Sequence, residues 1–251
     1  MKAIGIMRYG GPEVLEVIDV PEVNAGYKEV RIKNFASAVN PTDIVARSGM
    51  IAKFRKENPV FPSVPGMDVA GIVDQIGDGV RGDINIGDRV MGMVIPDGDY
   101  GAYREQLVLN QDAVVLAPKN TSHEEACTLP MNSLTARLSL DLLNLKPGQV
   151  IAVTGGPGAY GGYVIQLAKA DGLKVLADSN QDDESLLKDL GADIIISRDK
   201  NYVDQVRDHF PNGVDGLADG ALLNEKAIDA VRDGGFFTSI RGFKGLSLIH
   251  I

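Results

Sequence analysis

The chain has 251 residues, 44% of them hydrophobic and 24% charged, with a formal net charge of −9. This balance excludes a disordered segment, and the negative charge argues against a nucleic-acid or anionic-membrane partner. A single cysteine, Cys127, excludes an internal disulfide, and no apolar run approaches the roughly 20 residues that span a bilayer. The opening stretch, MKAIGIMRYGGPEVLE, turns polar too early for a secretory leader. A soluble cytoplasmic protein is the expectation.

Residues 29–39, EVRIKNFASAV, alternate apolar Val30 and Ile32 with charged neighbours, the period of a half-buried strand. NPTDIVARSG, 40–49, predicts one short helix capped by Asn40 or Thr42 and closed by Gly49. Strands are expected at 68–77 and 87–95, and the pattern continues through 102–118, with Gly and Asp marking turns. Many short strands with regular turns predict a small barrel over residues 1–122. A second domain is expected over 123–251, where long helical periodicity begins and is interrupted at Pro130. Strands then alternate with helices: strands at 150–155, 174–179, 193–197, 214–219 and 235–240, helices near 160–171, 182–190, 202–209 and 223–232. Such alternation predicts an α/β domain with a doubly wound parallel sheet.

Between the first strand and helix of that sheet lies TGGPGAYGG, 154–162, in which Gly156, Gly158 and Gly161 fit G-x-G-x-x-G. Gly156 permits the tight turn, and Gly161 lets helix pack on strand. Gly158 lets a pyrophosphate approach the backbone, and a positive φ is expected there. Gly155, Ala159 and Tyr160 complete the expected dinucleotide-binding turn, whose phosphates would sit on the helix N-terminus. Tyr160 would either lean over the pyrophosphate or pack under the barrel. Asp178 ends the next strand, where an acid hydrogen-bonds the adenosine ribose and repels a 2′-phosphate. Ser179 beside it and Arg198 after the third strand would instead receive that phosphate. The bland alternative has Asp178 capping the following helix and Arg198 as plain surface. Ile240, closing the fifth strand, is placed with the coenzyme-binding residues.

Several further stretches carry a resemblance: GGPEVLEV (10–17), NPTDIVARSG (40–49), VPGMDVAGIV (64–73), GDRVMG (87–92), GAYREQLVL (101–109), LTAR (134–137) and LLKDLGADIIIS (186–197). In this order, together with the glycine turn, they span nearly the whole chain. The chain resembles the zinc-independent, zeta-crystallin-like quinone oxidoreductases of the medium-chain dehydrogenase/reductase superfamily. That resemblance implies a GroES-like barrel, a Rossmann domain and an active site in the cleft between them. It places Asn40 and Thr135 near the nicotinamide and its ribose. It implies hydride transfer to a quinone or an α,β-unsaturated carbonyl, with NADPH as coenzyme and NADH accepted, in a homodimeric full-length protein. The alternative is an NADPH-binding structural or regulatory protein without turnover.

Zinc-dependent relatives place Cys where Asn40 stands and His-Glu where Met67-Asp68 stand. Asn, Met and Asp do not replace a thiolate and imidazole set, so no zinc is expected. His123 and Cys127 share a helical face, but two ligands without a third read as a surface His and a buried Cys. Relatives often carry a Tyr just after the N-P motif; Ile44 and Val45 stand here, so no proton donor is carried over. The family also runs on past this sequence, with a sixth strand. The expected break follows Gly242 or Gly245, and the closing SLIHI reads as a translated adapter tail.

Overall fold

A computed structural model describes residues 1–50, 52, 61–95, 100–198 and 200–241. Gly242, Gly245 and SLIHI lie outside the described residues. The chain divides between Met131 and Asn132 into two compact units.

The first unit opens with an antiparallel hairpin of β1 (Lys2–Ile6) and β2 (Leu15–Asp19), which pairs Ile4 with Val17. Next come β3 (Glu29–Ala36), the helix α1 (Pro41–Arg47), β4 (Asp68–Ile76), β5 (Arg89–Met93), β6 (Gln106–Asn110) and β7 (Val114–Leu116). The last five strands form one antiparallel sheet in the order β6-β3-β4-β5-β7. Alternation along β3 does what the sequence implies: Val30 and Ile32 are fully buried against Val69, Val73, Val90 and Leu107. The run at 102–118 is not one strand. At its middle the Asn110 side chain accepts the Asp112 N–H at 3.0 Å, folding 111–113 into a 3-10 turn that separates β6 from β7. A four-residue helix, α2 (His123–Ala126), follows behind a capping box of Ser122 and Glu125.

In the second unit, α3 (Pro130–Leu143) precedes β8 (Val150–Thr154), α4 (Ala159–Ala170), β9 (Lys174–Ser179), α5 (Glu184–Leu190) and β10 (Ile194–Ser197). It continues through α6 (Tyr202–His209), β11 (Val214–Asp219), α7 (Glu225–Ile228) and β12 (Val231–Ser239). All neighbours are parallel, in the order β10-β9-β8-β11-β12. Central β8 reads VIAVT because both its faces are covered. Ile151 and Val153 pack with Leu140, Val164, Ile165 and Leu187 from α3, α4 and α5. Ala152 packs with Tyr202, Val206 and Ala227 from α6 and α7. This is the doubly wound arrangement, with helices on both sides of a parallel sheet.

One segment differs from its sequence reading. The helix expected over 223–232 is the four-residue α7, and β12 starts at Val231. Gly234 at φ +70 and Gly235 lie inside that strand, where pairing with β11 jumps from Val214↔Val231 to Gly216↔Phe236. A glycine bulge breaks the two-residue period that would have marked the strand.

Candidate functional site

The glycine turn joins β8 to α4. Its left-handed residue is Gly155, at φ +69, whereas Gly158 is extended at φ −71 and ψ 162 and is the N-cap of α4. The positive φ expected at Gly158 thus belongs three residues earlier. The Gly158 N–H donates to the Gly155 carbonyl at 2.9 Å, closing the turn, and the Gly162 N–H makes the first helical bond back to Gly158 at 2.8 Å. The N–H groups at the start of α4 therefore have no acceptor inside the helix. A Cβ on Gly158 would meet one neighbour, the Gly155 carbonyl oxygen at 3.2 Å, and otherwise open space. A Cβ on Gly161 would press into backbone, 2.9 Å from both Gly155 C and Gly156 Cα. Gly156 lies against β9, with a Cβ there 3.0 Å from the Asp178 carbonyl oxygen. Gly156 and Gly161 are bare for packing, and Gly158 is bare beside open space at a positive helix end. A phosphate fits there, by backbone hydrogen bonds and by charge.

Tyr160 turns inward, away from the turn. Its ring is buried in the core of its own unit beside Gly220, and its hydroxyl donates to Ser139 Oγ at 2.8 Å. Burial raises its pKa, so it is a neutral phenol. Ala159 is the first residue of α4.

Asp178 and Arg198 are not independent choices at an open rim. Asp178 is buried, with 3% exposure. Its Oδ1 accepts the Gly155 N–H at 2.5 Å and the Gly156 N–H at 3.4 Å, while its Oδ2 accepts Arg198 Nε at 3.0 Å. The acid clamps the glycine turn, and the guanidinium, itself 40% exposed, neutralises the acid. Ser179 is also buried and donates to the Asn180 carbonyl at 2.7 Å. Ile240, just past β12, is 37% exposed, and its N–H reaches the Asp219 carbonyl at 3.4 Å.

A cavity of about 650 Å³ opens beside this ion pair, lined by Asp178, Arg198, Tyr202, Ala221, Leu223 and Lys226 among others. Its position at the carboxyl ends of β9, β10 and β11 is where open α/β sheets take ligands. Its far wall is held by a residue the sequence reading passed over. Asp219, fully buried at the end of β11, accepts Thr154 Oγ1 at 2.5 Å, the Leu223 N–H at 3.0 Å and the Asn224 N–H at 2.7 Å. The available signal was a repetition: VDGLAD and KVLADS both end a strand on, or one residue after, an acid.

The first unit carries its own polar cluster. Asn40, the N-cap of α1, is buried, and its Nδ2 donates to Asp68 Oδ2 at 2.6 Å. Asp68 Oδ1 accepts the Met131 N–H at 2.7 Å. Burial raises the Asp68 pKa, opposed by these two hydrogen bonds and reinforced by the charge of Asp43. Asp43 in turn accepts the Asn40 N–H at 2.8 Å, the Gly66 N–H at 3.0 Å and the Tyr103 hydroxyl at 3.1 Å. Burial, then the Asp43 charge, raises the Tyr103 pKa. The Asn40 and Asp68 positions, which the resemblance compares with the zinc ligands of other relatives, thus hold an amide–carboxylate pair. Among the described residues no three His, Cys, Asp or Glu side chains converge as a metal site. His123 stacks on Phe35 with centroids 4.8 Å apart, and Cys127 is buried with its Sγ donating to the Glu124 carbonyl. Thr135 lies half-buried on α3.

Comparison with known proteins agrees with both units. Residues 26–119 match the Alcohol dehydrogenase GroES-like domain. The chain is 36% identical to the 2-methylene-furan-3-one reductase of Solanum lycopersicum, over 96% of this chain and 62% of that protein. It is 32% identical to the chloroplastic NADPH-dependent alkenal/one oxidoreductase of Arabidopsis thaliana, over 96% of this chain and 63% of that protein. It thus spans somewhat less than two thirds of these relatives. The solved quinone oxidoreductase from Coxiella burnetii superposes with a TM-score of 0.80 at 31% identity, over 95% of this chain and 75% of that one. A GroES-like antiparallel unit, a doubly wound parallel sheet with its glycine turn, and these likenesses over both together lead to one assignment. The chain belongs to the medium-chain dehydrogenase/reductase superfamily.

Proposed function

We propose that this protein reduces quinones or α,β-unsaturated carbonyls with NADPH, accepts NADH, and does so without zinc. The observation that carries the reading is the turn at Gly155–Gly158, where a bare N-cap faces open space at the start of a 12-residue helix. The printed names of the relatives, an NADPH-dependent alkenal/one oxidoreductase and a 2-methylene-furan-3-one reductase among them, support the substrate class. When bound, the reduced nicotinamide supplies a hydride to an electron-poor carbon of the acceptor. The chain's own contributions are positional. Gly158 and the first amides of α4 hold the pyrophosphate, with Gly155, Gly156, Ala159 and Gly161 shaping the turn. Asp178, Ser179 and Arg198 set the adenosine end, and Ile240 stays with this group. In the proposal Asn40, fixed by Asp68, and Thr135 orient the nicotinamide and acceptor, a large effect for a bimolecular hydride transfer. Two further expectations belong to the proposal: a homodimer and a cytoplasmic location. Among the described residues no helix is long and apolar enough to cross a membrane.

Single-turnover oxidation of bound NADPH, followed at the reduced nicotinamide absorbance against a panel of quinones and enals, tests the reading. Acceptor-dependent oxidation is the expected result. Tight coenzyme binding with no transfer to any acceptor would leave a nucleotide-binding protein without turnover.

A further inference from the structure

Asp43, at the third position of α1, makes more bonds than a short helix requires. A carboxylate there ordinarily closes a capping box, using one oxygen on the N-cap amide. Asp43 does this with Oδ2, which accepts the Asn40 N–H at 2.8 Å. Its Oδ1 goes elsewhere. It accepts the Gly66 N–H at 3.0 Å, from the segment that leads into β4. The side chain is also buried, at 5% exposure, and burying a carboxylate is costly where a cap alone needs no burial.

The two amides it holds flank one pair. Asn40 is the residue whose Nδ2 reaches Asp68 Oδ2 at 2.6 Å, and Gly66 lies two residues before Asp68. One carboxylate thus fixes the backbone on both sides of the amide–carboxylate pair. Gly66 is held from behind as well, its carbonyl accepting the Ala102 N–H at 2.9 Å. It stands at φ +106, and a Cβ there would lie 2.9 Å from that nitrogen, so no other residue makes this approach. Tyr103 closes the arrangement. Its hydroxyl has two acceptors within reach, Asp43 Oδ2 at 3.1 Å and the Ala38 carbonyl at 3.2 Å, both in the segment that carries Asn40. Burial and the Asp43 charge keep the phenol a neutral donor. Whichever acceptor takes the bond, Tyr103 ties this segment to its own.

We propose that Asp43, backed by Tyr103, is a positioning residue for hydride transfer: it sets the Asn40–Asp68 pair where Asn40 orients the nicotinamide and acceptor. This rests on the proposed function and adds residues that act through Asn40. A displacement of about 1 Å in an orienting group costs on the order of 100-fold in rate, which is why the pair is held from both sides.

The test compares Tyr103→Phe and Asp43→Asn, each alone and combined with Asn40→Ala, in the full chain. Single-turnover NADPH oxidation at saturating acceptor gives the transfer rate, calorimetry the NADPH Kd, and thermal melts the stability. Tyr103→Phe is expected to slow transfer about three- to tenfold, one hydrogen bond, with the Kd within about twofold of wild type. Asp43→Asn turns an acceptor toward an amide into a donor, and is expected to slow transfer about 10- to 100-fold. In the Asn40→Ala background both losses should vanish, because residues that act through Asn40 have nothing left to position. A purely structural role gives losses that multiply in that background, or a lowered melt with the rate unchanged. Either result would overturn the proposal, as would a wild-type rate in Asn40→Ala. Should Asp43→Asn not fold, Tyr103→Phe removes a single oxygen and decides alone. Wild-type chain that transfers to no acceptor would remove the functional reading itself, and the proposal with it, before any variant is compared.

Discussion

Gly158→Ala and Gly161→Ala place the same methyl group three residues apart, and the structure assigns them opposite consequences. At Gly161 the new Cβ would lie 2.9 Å from two backbone atoms of the turn, Gly155 C and Gly156 Cα. No side chain can swing away, so the turn or α4 must shift. Overpacking of this kind costs about 1–3 kcal/mol, which lowers the melting temperature of a unit this size by roughly 5–15 °C. At Gly158 the new Cβ meets one oxygen at 3.2 Å, and φ of −71 suits alanine. Loss of a favourable N-cap and gain from a stiffer unfolded chain nearly cancel, leaving stability within about 1 kcal/mol of wild type. The methyl does occupy the approach to the helix amides. Hydrogen bonds from such amides to a charged group are worth about 1.5–3 kcal/mol each, so NADPH affinity should fall about 10- to 100-fold. Thermal melts and calorimetric titration of both variants separate the two roles. Wild-type affinity in Gly158→Ala, or an unshifted melt in Gly161→Ala, would refute the reasoning.

Four further outcomes are expected. Tyr160→Phe should lower stability by about 1–2 kcal/mol by orphaning Ser139, yet leave NADPH affinity unchanged, because its hydroxyl bond is internal to the core; a calorimetric Kd that rises in step with the lost stability counts against this. Asp178→Asn should raise the NADPH:NADH affinity ratio by freeing Arg198 from its ion pair, and Arg198→Ala should lower it; competitive titration decides, and equal losses for both coenzymes in both variants would reduce the pair to a turn clamp. Because burial raises the Asp68 pKa, the folded state holds that proton more tightly than the unfolded chain, so its contribution to stability falls as pH climbs from the ordinary value of 3.8 through the raised one. Relative to wild type, Asp68→Asn should therefore gain melting temperature with rising pH and then level off; a constant offset across the series speaks against it. Activity should be indifferent to chelators, with Asn40 and Asp68 bonded to each other at the positions the resemblance compares with zinc ligands; stoichiometric zinc in elemental analysis would contradict this.

The parallel sheet was legible because its signals are local. Strands such as KVLADS are short apolar runs, and α6 over Tyr202–His209 starts where the periodicity puts it, behind the Asn201 cap. β12 was blurred because Gly234 and Gly235 interrupt its period, and α7 because four residues carry no periodicity. In the first unit, β1 and β2 went unassigned because β2 buries almost none of its side chains, leaving Val17 66% exposed, so no two-residue burial period marks it. The glycine turn was legible as a motif but not in its torsions, because Gly155 and Gly158 are equally permissive in sequence and only the closed turn shows which one is left-handed. Asp178 and Arg198 were read as opposing influences on a 2′-phosphate, because their 20-residue separation conceals that each occupies the other. Tyr103 and Asp219 were missed for a related reason. A tyrosine or a buried aspartate looks like any other until its partners can be counted.

The loop after β11 has a kinetic consequence. Leu222 and Asn224 sit at φ values of 59 and 52, a region L-residues avoid, and the Asp219 carboxylate holds the amides of Leu223 and Asn224 in place. Opening this loop would strip a buried carboxylate of its donors, so it opens with the sheet and not on its own. Its amides belong with those of β11 in hydrogen–deuterium exchange, far slower than surface loops of equal length. The wall it forms for the cavity is therefore held in place by the chain itself, and under the proposed reading a nucleotide would meet it already formed.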